Sequence, residues 1–183
     1  MRGQIMMDGQ TPHADRAAEM RQAFDRTFAE PPQTALRETE SFLAVRLGGD
    51  PYAIRLTESV GMFADREITW LPSPVAELRG IAGLRGAVLP VYDLGALLGY
   101  PATSSARWLV VARSVAVAFA FDVFDGHLRV DREALVAHDA AQREHVQEVA
   151  RDNGLSYPII HLPSVLAALR ARVPAEPNRR TVT

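Results

Sequence analysis

The sequence predicts a mainly β protein built from two small barrels, on three observations. Apolar residues alternate with period two over several short stretches, as strands require. Turn formers such as GGDP, PSP and DNG separate those stretches at near-regular intervals, with helical segments only at the ends of units. PVYDLGALL, from Pro90, and PIIHLPSVL, from Pro158, share the order proline, strand end, leucine and short apolar helix at a spacing of 68 residues. A period seen twice is weak evidence by itself, but closed barrels would also leave few strand edges exposed.

The elements follow in order. From His13 to Glu30, Met20, Phe24 and Phe28 recur every four residues beside Ala17, which reads as an amphipathic helix stopped by Pro31-Pro32. Such a helix suits packing on its own domain or docking on a partner; its mixed-sign polar face argues against a membrane surface. From Ser41 the period becomes two: Leu43, Val45 and Leu47, then GGDP, then Tyr52, Ile54 and Leu56 predict a hairpin. Strands are expected near Ile68–Leu71 and over Ala87–Tyr92, the latter at an edge or bulge because Pro90 has no N–H to donate. Asp93 suits the N-cap of a short helix through Leu98, and Gly99 its left-handed stop.

In the second half Trp108–Ala112 reads as a buried strand. Val115–Phe121 alternates Val115, Val117, Phe119 and Phe121 with Ala116, Ala118 and Ala120, so its alanine face must lie close to something. The DNG turn at Asp152–Gly154 predicts that His145–Ala150 pairs with Ser156–His161; AAQREHVQEVA also suits a helix by propensity. The tail PAEPNRRTVT is expected to be frayed, giving an extension over 1–40, a folded domain over 41–173 and a tail over 174–183.

Composition narrows the function. The chain has 183 residues, 48% hydrophobic content and a formal charge of −2, enough for one sizeable core or two small ones and no electrostatic reason to bind nucleic acid or an anionic membrane. With no cysteine, disulfides, thiolate metal sites and cysteine nucleophiles are excluded. No signal-peptide run or stretch of about 18 apolar residues occurs, so the expected setting is the cytoplasm. No G-x-S-x-G, P-loop or G-x-G-x-x-G is present, so nucleophile-elbow and phosphate-cradle chemistry have no foothold.

Two sets of residues stand out. In GLRGAVLPVYDLGALLG, Arg85 between Gly83 and Gly86 sits on a tight turn from which a guanidinium can reach a partner's carboxylate or carbonyl; a solvated loop charge or an internal brace is the plain alternative. Leu84 should anchor that turn and Gly86 shape it, and Arg79 in ELRG is a weaker contact of the same kind. Val60, Met62 and Phe63 are apolar enough to be core, yet a methionine beside an aromatic also suits an adaptable binding surface. The second set, Asp122, Asp125, His127, His138-Asp139, His145 and His161, contains metal-ligating types without diagnostic spacing. Asp125-Gly126 is better read as a turn.

The chain resembles the CheW chemotaxis coupling proteins over roughly Phe42–Leu169. The most specific segment is G-I-A-G-L-R-G-A-V-L-P-V-Y-D-L, against a family pattern G-x-x-N-L-R-G-x-x-x-P-V-x-D-L, with FLAVRL, PYAIRL, FAFDVFDG and YPIIHLPSVLAAL around it. The resemblance implies two five-stranded SH3-like barrels with short helices after each, no enzymatic activity and no cofactor. It also implies a scaffold that binds the regulatory domain of a CheA-type histidine kinase and the cytoplasmic tip of chemoreceptors, with Arg85, Gly86, Leu84, Val60, Met62 and Arg79 as contacts. Three departures accompany it: Gly83 replaces the asparagine, Ser59-Val60-Gly61-Met62 replaces a glutamate-containing V-x-E-[IV], and His161 is the counterpart of Asp93. A scaffold for a non-motility pathway, or a metal-dependent enzyme, are the alternatives.

Overall fold

In the computed structural model, residues 38–102, 106–138 and 144–172 are described. The expected helix over His13–Glu30, most of the extension and the tail lie outside them. The first apolar alternation forms the predicted hairpin, β1 (Thr39–Leu47) and β2 (Asp50–Arg55), with Leu43 opposite Ile54 and Val45 opposite Tyr52. A single 3-10 turn, Leu56–Glu58, leads into β3 (Ser59–Ala64). Then come β4 (Leu78–Leu84), β5 (Ala87–Asp93) and a one-turn helix α1 (Leu94–Leu97). The second half supplies β6 (Trp108–Ala112), β7 (Ala118–Phe121), β8 (Val123–Asp131), β9 (Leu135–Ala137), β10 (Val146–Asp152), β11 (Leu155–Ile160) and α2 (Leu162–Arg172).

The repeat is real, and its halves exchange hairpins. Hairpin, strand, hairpin, helix is the order in both: β1β2, β3, β4β5, α1, then β6β7, β8, β10β11, α2, with β9 as an addition. One sheet has the order β3-β6-β7-β5-β4 and the other β8-β1-β2-β11-β10-β9. The second half's β6β7 hairpin therefore lies inside the first half's sheet, and β1β2 lies inside the second's. The insertion is parallel at matching points, Val91 beside Ala118 on β5/β7 and Ile159 beside Ala53 on β11/β2. The addition of β9 makes one sheet six-stranded where five strands were expected in each.

This topology sets the core. A central cluster joins Leu43, Val45, Tyr52 and Ile54 of one sheet to Tyr92, Val110, Phe119 and Phe121 of the other, and α1 and α2 add Leu94, Leu97, Leu162, Val165, Leu166 and Leu169. Along β7 the alternation sends Phe119 and Phe121 into this cluster and Ala118 and Ala120 into a second one with Leu84, Leu89, Leu109 and Val111. The alanine face is thus a place of close approach, as expected; both alanines are fully buried. A third cluster, including Phe42, Ala53 and Ile159, lies on the other face of the six-stranded sheet.

Several expectations change. Ile68–Leu71 is no strand: only Thr69 bridges, to Ile81, because Gly80, at φ +140, lets the two backbones meet where a Cβ would lie 2.1 Å from the Thr69 carbonyl oxygen. β5 is an inner strand, not an edge, yet Pro90 is tolerated since pairing with β7 begins only at Val91. Pro158 repeats the arrangement, since β2 pairs β11 from Ile159. Asp125-Gly126 lies within β8, beside a register shift opposite Ala44/Val45, and not in a turn. Val146–Asp152 is a strand, so the helical alternative fails there.

The two helices are capped differently. Asp93 Oδ1 accepts the Ala96 N–H at 2.9 Å, the predicted N-cap, and Gly99, at φ +88, follows the helix end. The other oxygen, Oδ2, accepts from Arg79 at 3.0 Å with Asp93 buried. His161 cannot cap in that way; instead the Leu162 N–H donates to Glu58 Oε2 at 2.8 Å, across the halves.

Candidate partner-binding site

The hairpin β4–β5 closes on two residues, with Leu84 paired to Ala87 and both turn residues left-handed, Arg85 at φ +50 and Gly86 at φ +80. This is the geometry of a type I′ turn, for which Asn-Gly is the favoured pair. Beneath it Leu84 is buried as the anchor, while Arg85 and Gly86 are exposed. The Arg85 guanidinium lies over the Phe63 ring, 5.4 Å from its centroid, and beside Gly61.

Around this contact runs a groove of about 370 Å³ lined by Val60, Phe63, Leu89, Val111, Val115 and the Arg85 turn, among others. Val60 is 43% exposed there. Met62, by contrast, turns inward and packs against the central cluster. Arg79 is not among the lining residues; its guanidinium holds Asp93. Of the six residues expected at a contact, Arg85, Leu84 and Val60 line the groove together, Gly86 shapes the turn, and Met62 and Arg79 face elsewhere.

Sequence reasoning missed Arg113, at the β6–β7 turn. Its Nε donates to the Thr57 carbonyl at 2.6 Å and its Nη2 to the Ser59 carbonyl at 2.7 Å, which fixes the backbone that presents Val60. The exchange of hairpins brings Arg113 there, and neither spacing nor periodicity reveals it.

The metal-ligating types do not gather. Asp125 pairs with Arg46 at 2.8 Å, the His127 ring meets that of Phe124, and Asp139 lies outside the described residues. His145 Nδ1 lies 3.0 Å from Ser164 Oγ, and burial, the largest influence, lowers its pKa. No group of three His, Cys, Asp or Glu suited to a metal ion occurs among the described residues. A second cleft, of about 580 Å³ on the six-stranded sheet, has a mixed lining that includes Asp50, Arg151 and His138.

The model of the CheW-like domain matches residues 41–170. The chain belongs to the CheW-like family. A probable chemotaxis protein CheW from Rhizobium etli is 32% identical over 74 residues, 40% of this chain and 48% of the relative, so the match spans about half of that protein. The crystal structure of the scaffolding protein TtCheW from Thermoanaerobacter tengcongensis superposes with a TM-score of 0.59 at 18% identity, covering 67% of this chain and 88% of the other. At that identity the likeness concerns the fold alone, and it makes this two-sheet arrangement a CheW-like one. Among the described residues no helix is long and apolar enough to cross a membrane.

Proposed function

We propose that this CheW-like chain is a non-enzymatic cytoplasmic scaffold that couples chemoreceptors to a CheA-type histidine kinase in chemotaxis-like signalling. Its work is association, and the groove beside Arg85 is the contact. Its sheets are the two SH3-like barrels of the family within a domain over 41–173, flanked by an extension and a tail. Coupling of this kind biases the kinase only as far as the scaffold binds one kinase state better than another.

The observation that carries the reading is a backbone outlier. Arg85 holds a left-handed conformation that costs a non-glycine residue about 1–2 kcal/mol, less for asparagine. The matching turn of the second half has Asn153, at φ +48, before Gly154, at φ +79. An arginine in the strained place, exposed beside an apolar groove, is explained by what its guanidinium touches outside the chain.

The test is Arg85→Asn. Stability should hold or rise by up to about 1 kcal/mol, while affinity for the kinase regulatory domain or the receptor tip falls by about 1–3 kcal/mol. The reciprocal Asn153→Arg should lower stability by a similar amount and leave binding unchanged. Denaturant melts and titration calorimetry measure both; wild-type affinity in a folded Arg85→Asn protein removes Arg85 from the contact.

A further inference from the structure

We infer that the groove takes a protein segment presenting carboxylates beside an apolar side chain, and that Gly61 keeps the Arg85 guanidinium available to it. This rests on the groove being the contact proposed above.

The charges argue for it. The groove lining includes Arg85 and Arg113 and no carboxylate. A third guanidinium, that of Arg66, lies over the same Phe63 ring at 5.8 Å. Arg46, Arg55, Arg79, Arg107, Arg132 and Arg172 each pair with an aspartate or glutamate. Arg85 has no such pair among the described residues; its contacts are an aromatic face and a glycine. In a chain of net charge −2, a cationic rim around an apolar groove is a local feature. A planar guanidinium already desolvated on one side by an aromatic ring offers its edge to a carboxylate, which binds it bidentately.

Gly61 explains why that edge is free. A Cβ at this position would lie 3.3 Å from Arg85 Nη2 and 3.6 Å from the Phe63 ring. The residue is in β3, outside the left-handed region, so the backbone permits a side chain. An acid there would neutralise Arg85 within the chain. The glycine leaves the carboxylate to be supplied by the partner.

The experiment compares Gly61→Glu with Gly61→Gln in the full chain, titrated against the purified CheA-type kinase and chemoreceptor tip of the same organism. Both fill the same space, and only one adds charge. Glutamate should weaken binding about tenfold or more and glutamine less than about threefold, with the gap closing near 0.5 M salt. Arg66→Glu, on the exposed rim, is the second variant and should weaken binding in the same salt-dependent way should Gly61→Glu fail to fold. If the wild type binds but glutamate and glutamine behave alike, or salt leaves the gap open, the carboxylate inference is wrong and the scaffold reading stands. If the wild type binds neither partner, both are wrong.

Discussion

The two halves of the molecule follow one plan and part company at two matched points. In the β10–β11 turn, Asn153-Gly154 supplies the residues that left-handed angles favour. In the β4–β5 turn the same angles are held by Arg85-Gly86, beside a groove. At the start of the helices, α1 is capped by its own Asp93, and α2 by Glu58 from the other half. Where a repeat keeps its geometry and changes its side chain, the change points to what each copy does beyond folding: the proposed contact outside the chain at Arg85, and the attachment between halves at Glu58.

The exchange of hairpins gives the largest expected effect. A fragment of residues 1–105 lacks the β6β7 hairpin from the middle of one sheet, and a fragment of 106–183 lacks β1β2 from the other. Neither should show a cooperative melt alone, and a mixture of the two should regain it, as circular dichroism with heating would read. A single fragment that melts cooperatively breaks the comparison, for it would make the halves independent.

Next come the caps. Asp93→Ala removes a helix cap and takes the buried carboxylate away from Arg79, for a loss of about 2–4 kcal/mol; Arg79 is partly exposed, which keeps this below a fully buried pair. His161→Ala should cost within about 0.5 kcal/mol, because the α2 cap is elsewhere. Chemical denaturation measures the pair, and equal losses would mean that the second half caps its helix with its own residue after all.

Much of this plan was legible in the residues, for reasons that also explain the gaps. Alternation located the β1–β2 hairpin and the split faces of β7, DNG located β10–β11, and Asp93 and Gly99 bounded α1, since each is a local rule about period, turn or cap. The repeat at Pro90 and Pro158 announced two halves. It could not show their exchange, because a hairpin carries no mark of which sheet it will join. Arg113 and the Glu58 cap were hidden for the same cause, as both are contacts between halves. Met62 lies in the stretch that the family resemblance made a contact, and the register shift between Ser59 and Gly61 in β3 breaks the alternation, leaving Val60 in the groove and Met62 against the core.

The smallest effect tests what kind of cap Glu58 is. Burial is the largest influence on this carboxyl and raises its pKa, against the opposite pull of the Leu162 N–H, His161 and Arg55. A carboxyl with a raised folded pKa takes up protons on folding. Its contribution to stability is full below the ordinary carboxylate range and is lost as pH rises through the raised value. Glu58→Gln keeps an oxygen for the Leu162 N–H without the charge. The variant should match the wild type near pH 4 and equal or exceed it at pH 7 by less than about 1 kcal/mol, solvent screening keeping the gain small. Taking the difference at each pH cancels Glu40, whose pKa is lowered by its hydrogen bond from Arg55 and whose contribution is lost as pH falls. Should Glu58→Gln instead be the less stable at pH 7, attraction between the carboxylate and the α2 N-terminus would outweigh desolvation, and the link between the halves would be a charge and not a hydrogen bond.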